Sequence, residues 1–468
     1  MSGDPLLARL SEIVGDTQVL TGAEDVKSYA TDWRGRYFGV PRGVVRPAST
    51  QEVAQVVRCC AQAGVPMVPQ GGNTGLCGGA TPIGNEVLIS LTRLNRVRHT
   101  DPLNNAITVE AGCPLQRVQE AAADAGRLFP LSLAAEGTAT IGGNLSTNAG
   151  GVQVLRYGNT RDLTLGLEVV LPSGEIWDGL RALRKDNTGY DMKHLFIGAE
   201  GTLGLITAAT LKLFPRPKHV VTAWGSVSSP MQAVQLLGYL RDRVGDSVTA
   251  FELISSVSLE LVMRHIPGSR LPLAGPAPWQ FLVEFSSAGE MLAEVTDAFQ
   301  EAMRDALIGD VVIAGTLTQA QALWAMRENI SEAQKREGVS IKHDVSMPIP
   351  RIAEFIARAN EALTTTFPEI RIVCFGHIGD GNLHYNLSKP RGQGNEAFIA
   401  ATHQVNRVVH DLVTALGGSI SAEHGIGQLK REEILRYKSP VEMEMMRAVK
   451  SALDPQRLMN PGKLFARK

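Results

Sequence analysis

Pro69-Gln70-Gly71-Gly72-Asn73-Thr74-Gly75-Leu76-Cys77-Gly78-Gly79-Ala80 joins an apolar segment at 65–68 to a strand-like run at 87–91. Five of the nine positions from 71 to 79 are glycine. Glycine adopts positive φ and lets backbone approach a ligand closely. Successive amides in such a turn can bind an anion. The segment therefore predicts a phosphate-binding loop, with a flexible surface loop as the alternative.

A second glycine-rich cluster, at 136–151, favours the binding loop over the flexible one. It is small, polar and rich in amides, which suits a backbone wall along a long polar cofactor. Neither cluster matches the G-x-G-x-x-G pattern of dinucleotide-binding folds or the G-x-x-x-x-G-K-[ST] pattern of P-loops. Phosphate binding is thus expected by a different device.

Three motifs carry a resemblance to a known family: the first loop from Pro69 to Pro82, the Ile-Gly-Gly-Asn run that begins at Ile141, and Gly198-Ala-Glu-Gly-Thr-Leu-Gly204. Together they resemble the flavin domain of the vanillyl-alcohol oxidase family. The likeness is greatest to the branch that includes D-2-hydroxyglutarate, D-lactate and glycolate dehydrogenases. It extends from about Tyr29 to Lys463. It implies FAD as the cofactor, with its pyrophosphate on the first loop.

Several residues become candidate FAD contacts through the two clusters and this resemblance. They are Pro69, Gly71, Gly72, Asn73, Thr74, Gly75, Gly78, Gly79, Glu136, Gly137, Thr138, Ile141, Gly142, Asn144, Thr147, Asn148, Gly150, Gly151, Gly201, Ile206 and Asn460. Some family members attach the flavin through a histidine or cysteine. The first loop contains no histidine, so we expect non-covalent FAD, and Cys77 is the one residue that leaves attachment open.

Composition indicates an ordinary globular protein of more than one domain. The chain has 468 residues, which is long for a single core, and a formal net charge of −1. That balance gives no general attraction to nucleic acid or anionic membranes. Five cysteines without C-x-x-C spacing argue against a disulfide framework, and the N-terminus does not read as a signal or transit peptide. We expect a cytoplasmic protein.

The order of predicted elements indicates an α+β fold. Helix and strand patterns up to residue 214 form the predicted FAD-binding domain. It opens with a βαβ-like unit whose helix begins with a capping-box-like pattern at 49–52. It also contains a predicted hairpin at 165–178 and predicted strands at 201–206 and 209–214. Strands separated by long helices from 215 to 420 predict a ferredoxin-like α+β domain for substrate and metal. Its predicted elements include helices at 319–336 and 396–416 and a strand at 340–345. Residues 421–468 form a predicted C-terminal helical segment that returns to the flavin, as the resemblance implies.

A histidine-rich turn in the second half predicts a metal site. Phe375-Gly-His-Ile-Gly-Asp-Gly-Asn-Leu-His-Tyr-Asn386 places His377 at a strand end and His384 on the returning strand. Glu423, between a strand-like run and a glycine turn in Ser421-Ala-Glu-His-Gly-Ile-Gly427, offers a third ligand. Two histidines and a carboxylate suit a catalytic divalent ion. We expect Zn²⁺, with manganese, cobalt or iron as alternatives, and the resemblance implies the same three ligands.

The resemblance also implies cations that hold an acidic substrate. Arg327, Ser331 and Lys342 match the residues that bind the distal carboxylate in the family, although serine stands where threonine is usual. Helical spacing predicts that Arg327 and Ser331 share a face. Asn386, on the same strand face as His384, is a further candidate substrate contact. Without the family context, these charges read as ordinary surface residues.

The resemblance implies metal-assisted oxidation of a D-2-hydroxy dicarboxylate, such as D-2-hydroxyglutarate or D-malate, to the 2-keto acid by hydride transfer to FAD. His424 is the candidate base and a substrate contact, because imidazole titrates near neutral pH. A D-lactate or glycolate dehydrogenase or oxidase is the alternative on the same fold. A flavin-free metal hydrolase and a non-catalytic flavin scaffold are alternatives of other classes.

Family members commonly pass electrons to an electron-transferring flavoprotein or a quinone, so we expect one of these as the acceptor. The sequence shows no nicotinamide fingerprint. A homodimer is the expected assembly.

Overall fold

The computed structural model describes residues 4–392 and 394–467. The chain forms two compact units. The first combines the residues up to Gly150 with 158–216 and the segment from Glu423 onward, and the second combines 151–157 with 217–422. The unit assignment thus changes close to the predicted boundaries at 214/215 and 420/421. The first three residues and Lys468, which the predicted domain ranges include, lie outside the described residues.

The helices are α1 (Pro5–Val14), α2 (Ala23–Ala30), α3 (Thr50–Gln62), α4 (Leu115–Asp124), α5 (Ile141–Thr147), α6 (Val154–Tyr157), α7 (Lys193–Phe196), α8 (Pro230–Val244), α9 (Ser256–His265), α10 (Leu292–Arg304), α11 (Leu317–Glu328), α12 (Ile330–Glu337), α13 (Ile352–Thr366), α14 (Asn395–Ala400), α15 (Thr402–Ala415), α16 (Ile434–Tyr437) and α17 (Pro440–Leu453). Short 3₁₀ turns occupy Asp16–Gln18, Gly245–Ser247 and Ile349–Arg351. No described helix is both long and apolar enough to cross a membrane.

The strands are β1 (Val19–Leu20), β2 (Gly43–Val45), β3 (Met67–Gln70), β4 (Val87–Ser90), β5 (Val97–Asp101), β6 (Ala106–Glu110), β7 (Arg127–Leu128), β8 (Thr164–Val170), β9 (Ile176–Gly179), β10 (Leu205–Lys212), β11 (Phe214–Pro215), β12 (His219–Val227), β13 (Val248–Ser255), β14 (Trp279–Ser287), β15 (Val311–Ile313), β16 (Ser340–Ile341), β17 (Asp344–Ser346), β18 (Arg371–Gly376) and β19 (Asn382–Ser388).

The βαβ unit predicted near the N-terminus is confirmed. β2 and β3 both run parallel to β4, which lies between them, and β1 closes the sheet order β1-β2-β4-β3. The Ser49 hydroxyl caps α3 by accepting the Glu52 N–H at 3.1 Å, as the capping-box pattern predicts. β3 ends at Gln70, so the glycine loop begins at a carboxyl strand end, where open α/β sheets place ligands.

A second sheet of the first unit has the order β5-β6-β10-β8-β9 and is antiparallel throughout. The predicted β8–β9 hairpin is confirmed, with Val170 opposite Ile176. The prediction of separate strands at 201–206 and 209–214 was wrong. Residues 205–212 form the single strand β10, and its pairing with β8 crosses Thr207 as an irregularity in register.

The second unit is built on an antiparallel sheet of order β15-β12-β14-β13-β18-β19-β16, with β17 also paired to β19. Strand residues alternate between the two faces of a sheet, and each face carries its own core. Phe251, Leu253 and Phe281 belong to one core, and Ile254, Leu282 and Phe375 belong to the other. The predicted α+β class is confirmed.

Three long elements predicted in this unit are interrupted in the structure. The helix predicted at 319–336 is two helices, because Asn329 caps α11 and its Nδ2 donates to the Ala325 carbonyl at 2.8 Å. Asparagine competes with the helix backbone in this way. The strand predicted at 340–345 is interrupted at residues 342 and 343, and the His343 N–H donates to Asn386 Oδ1 at 3.1 Å. The helix predicted at 396–416 is α14 followed by α15.

Candidate functional site

A cleft in the first unit, with about 930 Å³ of space partly open to solvent, lies at the glycine loop. The predicted FAD residues that line it are Pro69, Gly71, Gly72, Asn73, Thr74, Gly75, Gly79, Gly142, Asn144, Thr147, Gly201 and Ile206. His424, the predicted base, also lines it. The structure thus brings the first loop, α5, the 200–206 segment and the candidate base to one cleft.

The glycines of the first loop serve two purposes. A Cβ on Gly71 would overlap the Thr140 hydroxyl, and a Cβ on Gly72 would overlap the Thr138 carbonyl oxygen, so these two positions allow the two clusters to pack together. Gly75 differs, because a Cβ there would meet nothing within 4 Å. Gly75 lines the cleft. Its missing side chain therefore leaves room for a ligand rather than for the protein.

The polar lining fits a cofactor rich in hydrogen-bonding groups. Among the described residues, the buried Thr140 Oγ1 and Asn144 Nδ2 have no hydrogen-bond partner, and both residues line the cleft. A buried polar atom without a partner costs free energy. FAD would supply donors and acceptors along such a wall. The residues present therefore fit FAD.

Other predicted FAD residues lie outside the cleft lining, namely Gly78, Glu136, Gly137, Thr138, Ile141, Asn148, Gly150, Gly151 and Asn460. Several shape the wall from behind. Asn148 ends α5 in the left-handed region, and its Oδ1 accepts the Arg161 N–H at 2.9 Å. Gly151 is assigned to the second unit. Sequence composition could not separate lining residues from supporting ones.

Asn460 fastens the C-terminal segment to the glycine loop. Its Nδ2 donates to the carbonyl oxygens of Gly79 at 2.9 Å and Glu200 at 2.7 Å, and its own N–H donates to Met67 at 2.8 Å. It is 2% exposed. The C-terminal segment thus returns to the first unit, as predicted, and Asn460 supports the cleft from behind.

Glu200 is a site residue that the sequence reasoning missed. Its carboxylate accepts the N–H groups of Ile426 and Gly427, each at 2.8 Å, and so anchors the turn that follows His424. Burial raises the pKa of Glu200, and the two amides oppose that shift. It is the one charged residue in the motif 198–204. That feature could have identified it.

The predicted histidine hairpin is confirmed in the second unit. His377 follows β18, and His384 lies on β19 opposite Phe375. The two imidazole centroids are 5.7 Å apart, with their planes at 78°. Asp344 on β17 pairs with His384 from the other side. Two imidazoles beside a carboxylate are donors that suit a divalent transition metal.

Arg327 does not stand on the surface as an isolated charge. It is 7% exposed, and its Nε donates to Glu252 Oε2 at 2.5 Å. Its guanidinium carbon lies 4.7 Å from the centre of the Phe375 ring. The other oxygen of Glu252 hydrogen-bonds His377 Nδ1. Burial would raise the pKa of Glu252, but Arg327 and His377 outweigh it and lower that pKa.

Glu252 was also missed by the sequence reasoning. It lies in β13, whose residues are otherwise apolar or small and buried. A single carboxylate in such a strand needs a partner, and this rule could have drawn attention to it. The partners themselves are 75 and 125 residues away in the chain.

The remaining predicted substrate residues have different settings. Arg327 is buried in the last turn of α11, whereas Ser331 is exposed in the first turn of α12, so the prediction of one continuous helix face for them was wrong. Lys342 lies between β16 and β17 and is half-buried. Asn386 is buried, and its amide donates to Gln334 Oε1 at 3.0 Å while accepting the His343 N–H.

Two protein families match the chain. The family described as "FAD linked oxidases, C-terminal domain" matches residues 216–464, and the "FAD binding domain" family matches residues 41–179. The chain belongs to the FAD-linked oxidase family, and it is an FAD-dependent oxidoreductase. These matches contradict the flavin-free hydrolase alternative.

Curated relatives are similar over nearly the full length. The chain is 39% identical over 465 residues to the "D-2-hydroxyglutarate dehydrogenase" of Xanthomonas citri pv. viticola, covering 99% of this chain and 97% of that protein. It is 36% identical to the "D-2-hydroxyglutarate dehydrogenase, mitochondrial" of Bos taurus, covering 98% of this chain and 83% of the relative.

Solved structures share the fold at lower identity. A p-cresol methylhydroxylase with substrate bound matches with a TM-score of 0.77 and 16% identity, over 99% of this chain and 96% of that one. A 4-ethylphenol oxidase from Gulosibacter chungangensis matches with a TM-score of 0.73 and 20% identity, over 99% and 97%. The predicted flavin-domain fold is therefore confirmed.

We expect Gly72→Ala to weaken FAD binding by about 10- to 100-fold, because the new methyl group must push the two clusters apart and overpacking costs about 1–3 kcal/mol. The measurement is FAD titration of the apoprotein by flavin fluorescence quenching, with thermal unfolding of the apoprotein beside it. Gly75→Ala should weaken FAD binding without lowering the apoprotein's Tm, because its methyl group occupies space in the cleft and contacts no other part of the protein.

Gly84→Ala is the matched control for this pair. A Cβ on Gly84 would meet nothing within 4 Å, and Gly84 does not line the cleft. It should bind FAD as the wild type does. Equal FAD affinity in Gly72→Ala and Gly84→Ala would contradict the role given to Gly72.

Proposed function

We propose that this enzyme oxidises a D-2-hydroxy dicarboxylate, with D-2-hydroxyglutarate as the first substrate to test, to the 2-keto acid while FAD is reduced. The observation that carries the proposal is the near-full-length similarity to proteins named D-2-hydroxyglutarate dehydrogenase. The buried Arg327, beside the histidine hairpin, supports a substrate with a second carboxylate. D-malate has the same pair of carboxylates and is a second candidate substrate.

We propose that His377, His384 and Glu423 hold a divalent ion, with Zn²⁺ expected. The Ala422 N–H donates to the Asp344 carbonyl at 3.2 Å, and Asp344 pairs with His384. Glu423 is the next residue in the chain, and consecutive Cα atoms are about 3.8 Å apart. Chain connectivity therefore holds Glu423 near the strand that carries His384. Such an ion would orient the 2-hydroxy acid and lower the pKa of its hydroxyl group.

Each side chain then has a defined task. The terminal nitrogens of Arg327 bind the distal carboxylate, since a guanidinium can form two parallel hydrogen bonds to it. Arg327 bonds Glu252 through Nε, which leaves the two terminal nitrogens to face the substrate in this proposal. Lys342 adds positive charge, and Ser331 and Asn386 are further candidate substrate contacts. His424 takes up the hydroxyl proton, and FAD supplies the hydride acceptor.

The proposal is tested by anaerobic reduction of the bound flavin, followed by the loss of its visible absorbance. D-2-Hydroxyglutarate should bleach the flavin fast, and its L-enantiomer should not. D-Lactate, which lacks the second carboxylate, should bleach it much more slowly. Prior chelation should abolish the fast phase, and added Zn²⁺, Mn²⁺ or Co²⁺ should restore it.

Two outcomes would contradict the proposal in different ways. Equal or faster bleaching by D-lactate would favour a monocarboxylate dehydrogenase and remove the role given to Arg327 and Lys342. Full activity in metal-free protein would remove the metal site while leaving the dicarboxylate specificity intact. The acceptor, homodimer and cytoplasmic location stay predictions, and the Bos taurus relative is named mitochondrial.

A further inference from the structure

The carboxylate of Glu252 joins two residues to which the proposed function gives separate tasks. Oε2 accepts from Arg327 Nε at 2.5 Å, and Oε1 hydrogen-bonds His377 Nδ1. The Glu252 side chain is 0% exposed, and those of Arg327 and His377 are 8% and 9% exposed. Arg327 and His377 therefore both hydrogen-bond the Glu252 carboxylate, which is shielded from water.

The sheet fixes this arrangement. Glu252 is next to Leu253, which pairs with Gly376 across β13 and β18, and His377 follows Gly376 directly. Arg327 comes from α11 and lies over the Phe375 ring of the same strand. A shift of the Glu252 side chain would therefore disturb both of its partners, because a close-packed interior transmits small displacements to neighbouring side chains.

Each contact orients its partner. When the Nδ1–H of a histidine is donated to a carboxylate, the tautomer is fixed and Nε2 carries the lone pair for a metal ion. In the same way, the bond from Arg327 Nε sets the plane of the guanidinium. That plane decides where its two terminal nitrogens point.

We propose that Glu252 is a positioning residue that couples metal affinity at His377 to dicarboxylate binding at Arg327. The inference rests on the proposed function, because it uses the metal and carboxylate tasks assigned there. It adds a specific consequence. A change at Arg327 alters metal affinity even when no substrate is present, although Arg327 is not a proposed metal ligand.

The test is metal affinity of the full-length FAD-bound protein without substrate, measured by competition with a chromogenic Zn²⁺ chelator. Glu252→Gln should raise the Zn²⁺ Kd about 10- to 100-fold, the usual effect of losing a carboxylate behind a histidine ligand. Arg327→Met should shift the Zn²⁺ Kd by at least about threefold. That shift should vanish in the Glu252→Gln background, as a double-mutant cycle requires for coupling through one residue.

Dicarboxylate binding supplies the second readout. The 2-keto acid product, 2-oxoglutarate, is titrated against the oxidised flavin spectrum at saturating Zn²⁺, with pyruvate beside it. Glu252→Gln should raise the Kd of 2-oxoglutarate at least about tenfold more than that of pyruvate, which has no distal carboxylate. Arg327→Lys and Glu252→Asp keep each charge and provide folded alternatives if a neutral variant fails to fold.

Glu284→Gln is the matched control. Glu284 is a partly buried glutamate on the neighbouring strand β14, and its carboxylate accepts the Trp324 indole N–H at 2.9 Å. Because its carboxylate bonds Trp324 and not the Glu252 pair, its replacement should leave both Kd values at the wild-type level. This separates the coupling from a general effect of removing a glutamate from the sheet.

Three results would overturn the inference. An unchanged Zn²⁺ Kd in both Arg327→Met and Arg327→Lys removes the coupling. A shift that persists unchanged in the Glu252→Gln background shows that it does not pass through Glu252. In both cases the wild type still binds metal and substrate, so the proposed function stands. A wild type that binds no divalent ion overturns the metal proposal together with the coupling.

Discussion

The His424→Gln variant is expected to purify with bound FAD and to turn over a 2-hydroxy acid about 10²- to 10⁴-fold more slowly than the wild type. His424 lines the flavin cleft, and Glu200 anchors the turn behind it. Glutamine has a similar reach but cannot take up the proton. The measurement is kcat across pH, in which the variant should lose the base-dependent limb of the wild-type profile.

His403→Gln is the control for this variant, because His403 is exposed on α15. It should show wild-type kcat and FAD content. A His424→Gln variant with kcat within about threefold of the wild type and an unchanged pH profile would rule out His424 as the base. Such a result would leave the flavin cleft intact and direct attention to other titratable residues beside the substrate.

Arg327→Ala is expected to lower kcat/KM for D-2-hydroxyglutarate by an amount equivalent to about 2–5 kcal/mol, because a buried charge that pairs with the substrate is lost. It should also lower the free energy of unfolding by about 3–5 kcal/mol, because the buried Glu252 loses its arginine partner and keeps only its bond to His377. Steady-state kinetics with D-2-hydroxyglutarate and D-lactate, together with urea unfolding, measure the two effects.

The double variant Arg327→Ala/Glu252→Gln separates these effects. Neutralising Glu252 in this way should recover much of the free energy of unfolding, because replacing both partners of a buried pair costs less than removing one of them. Activity on the dicarboxylate should not recover. If D-lactate and D-2-hydroxyglutarate lost kcat/KM equally in Arg327→Ala, Arg327 would not bind the distal carboxylate.

Sequence patterns predicted the structural features that depend on residues close together in the chain. The capped helix α3, the strand before the glycine loop and the His377–His384 hairpin follow from residues close together in the chain. Glycine density at 71–79 marked the cleft, because close backbone approach needs missing side chains at defined positions. Asn329 separates α11 from α12. Hydrophobic periodicity does not register such a single polar residue, so it predicted one continuous helix.

Glu200 and Glu252 were not predicted from the sequence, because their partners are distant in the chain. Glu200 bonds amides 226 and 227 residues away, and Glu252 bonds residues 75 and 125 away. Hydrophobic periodicity carries no information about such partners. Glu252 reads as a defect in an apolar strand until the fold brings Arg327 and His377 to it. A carboxylate in an apolar segment shows that a partner is needed, but a single sequence does not identify that partner.

The flavin unit uses both ends of the chain, and this constrains its biogenesis. Asn460 bonds Gly79 across 381 residues, and Lys450 donates to the Thr202 carbonyl at 2.6 Å. On the ribosome, the inserted unit at 217–422 is synthesised whole before Asn460 emerges. Contacts so distant in sequence form slowly. The bond between Asn460 and the glycine loop can therefore form only after the inserted unit has been synthesised.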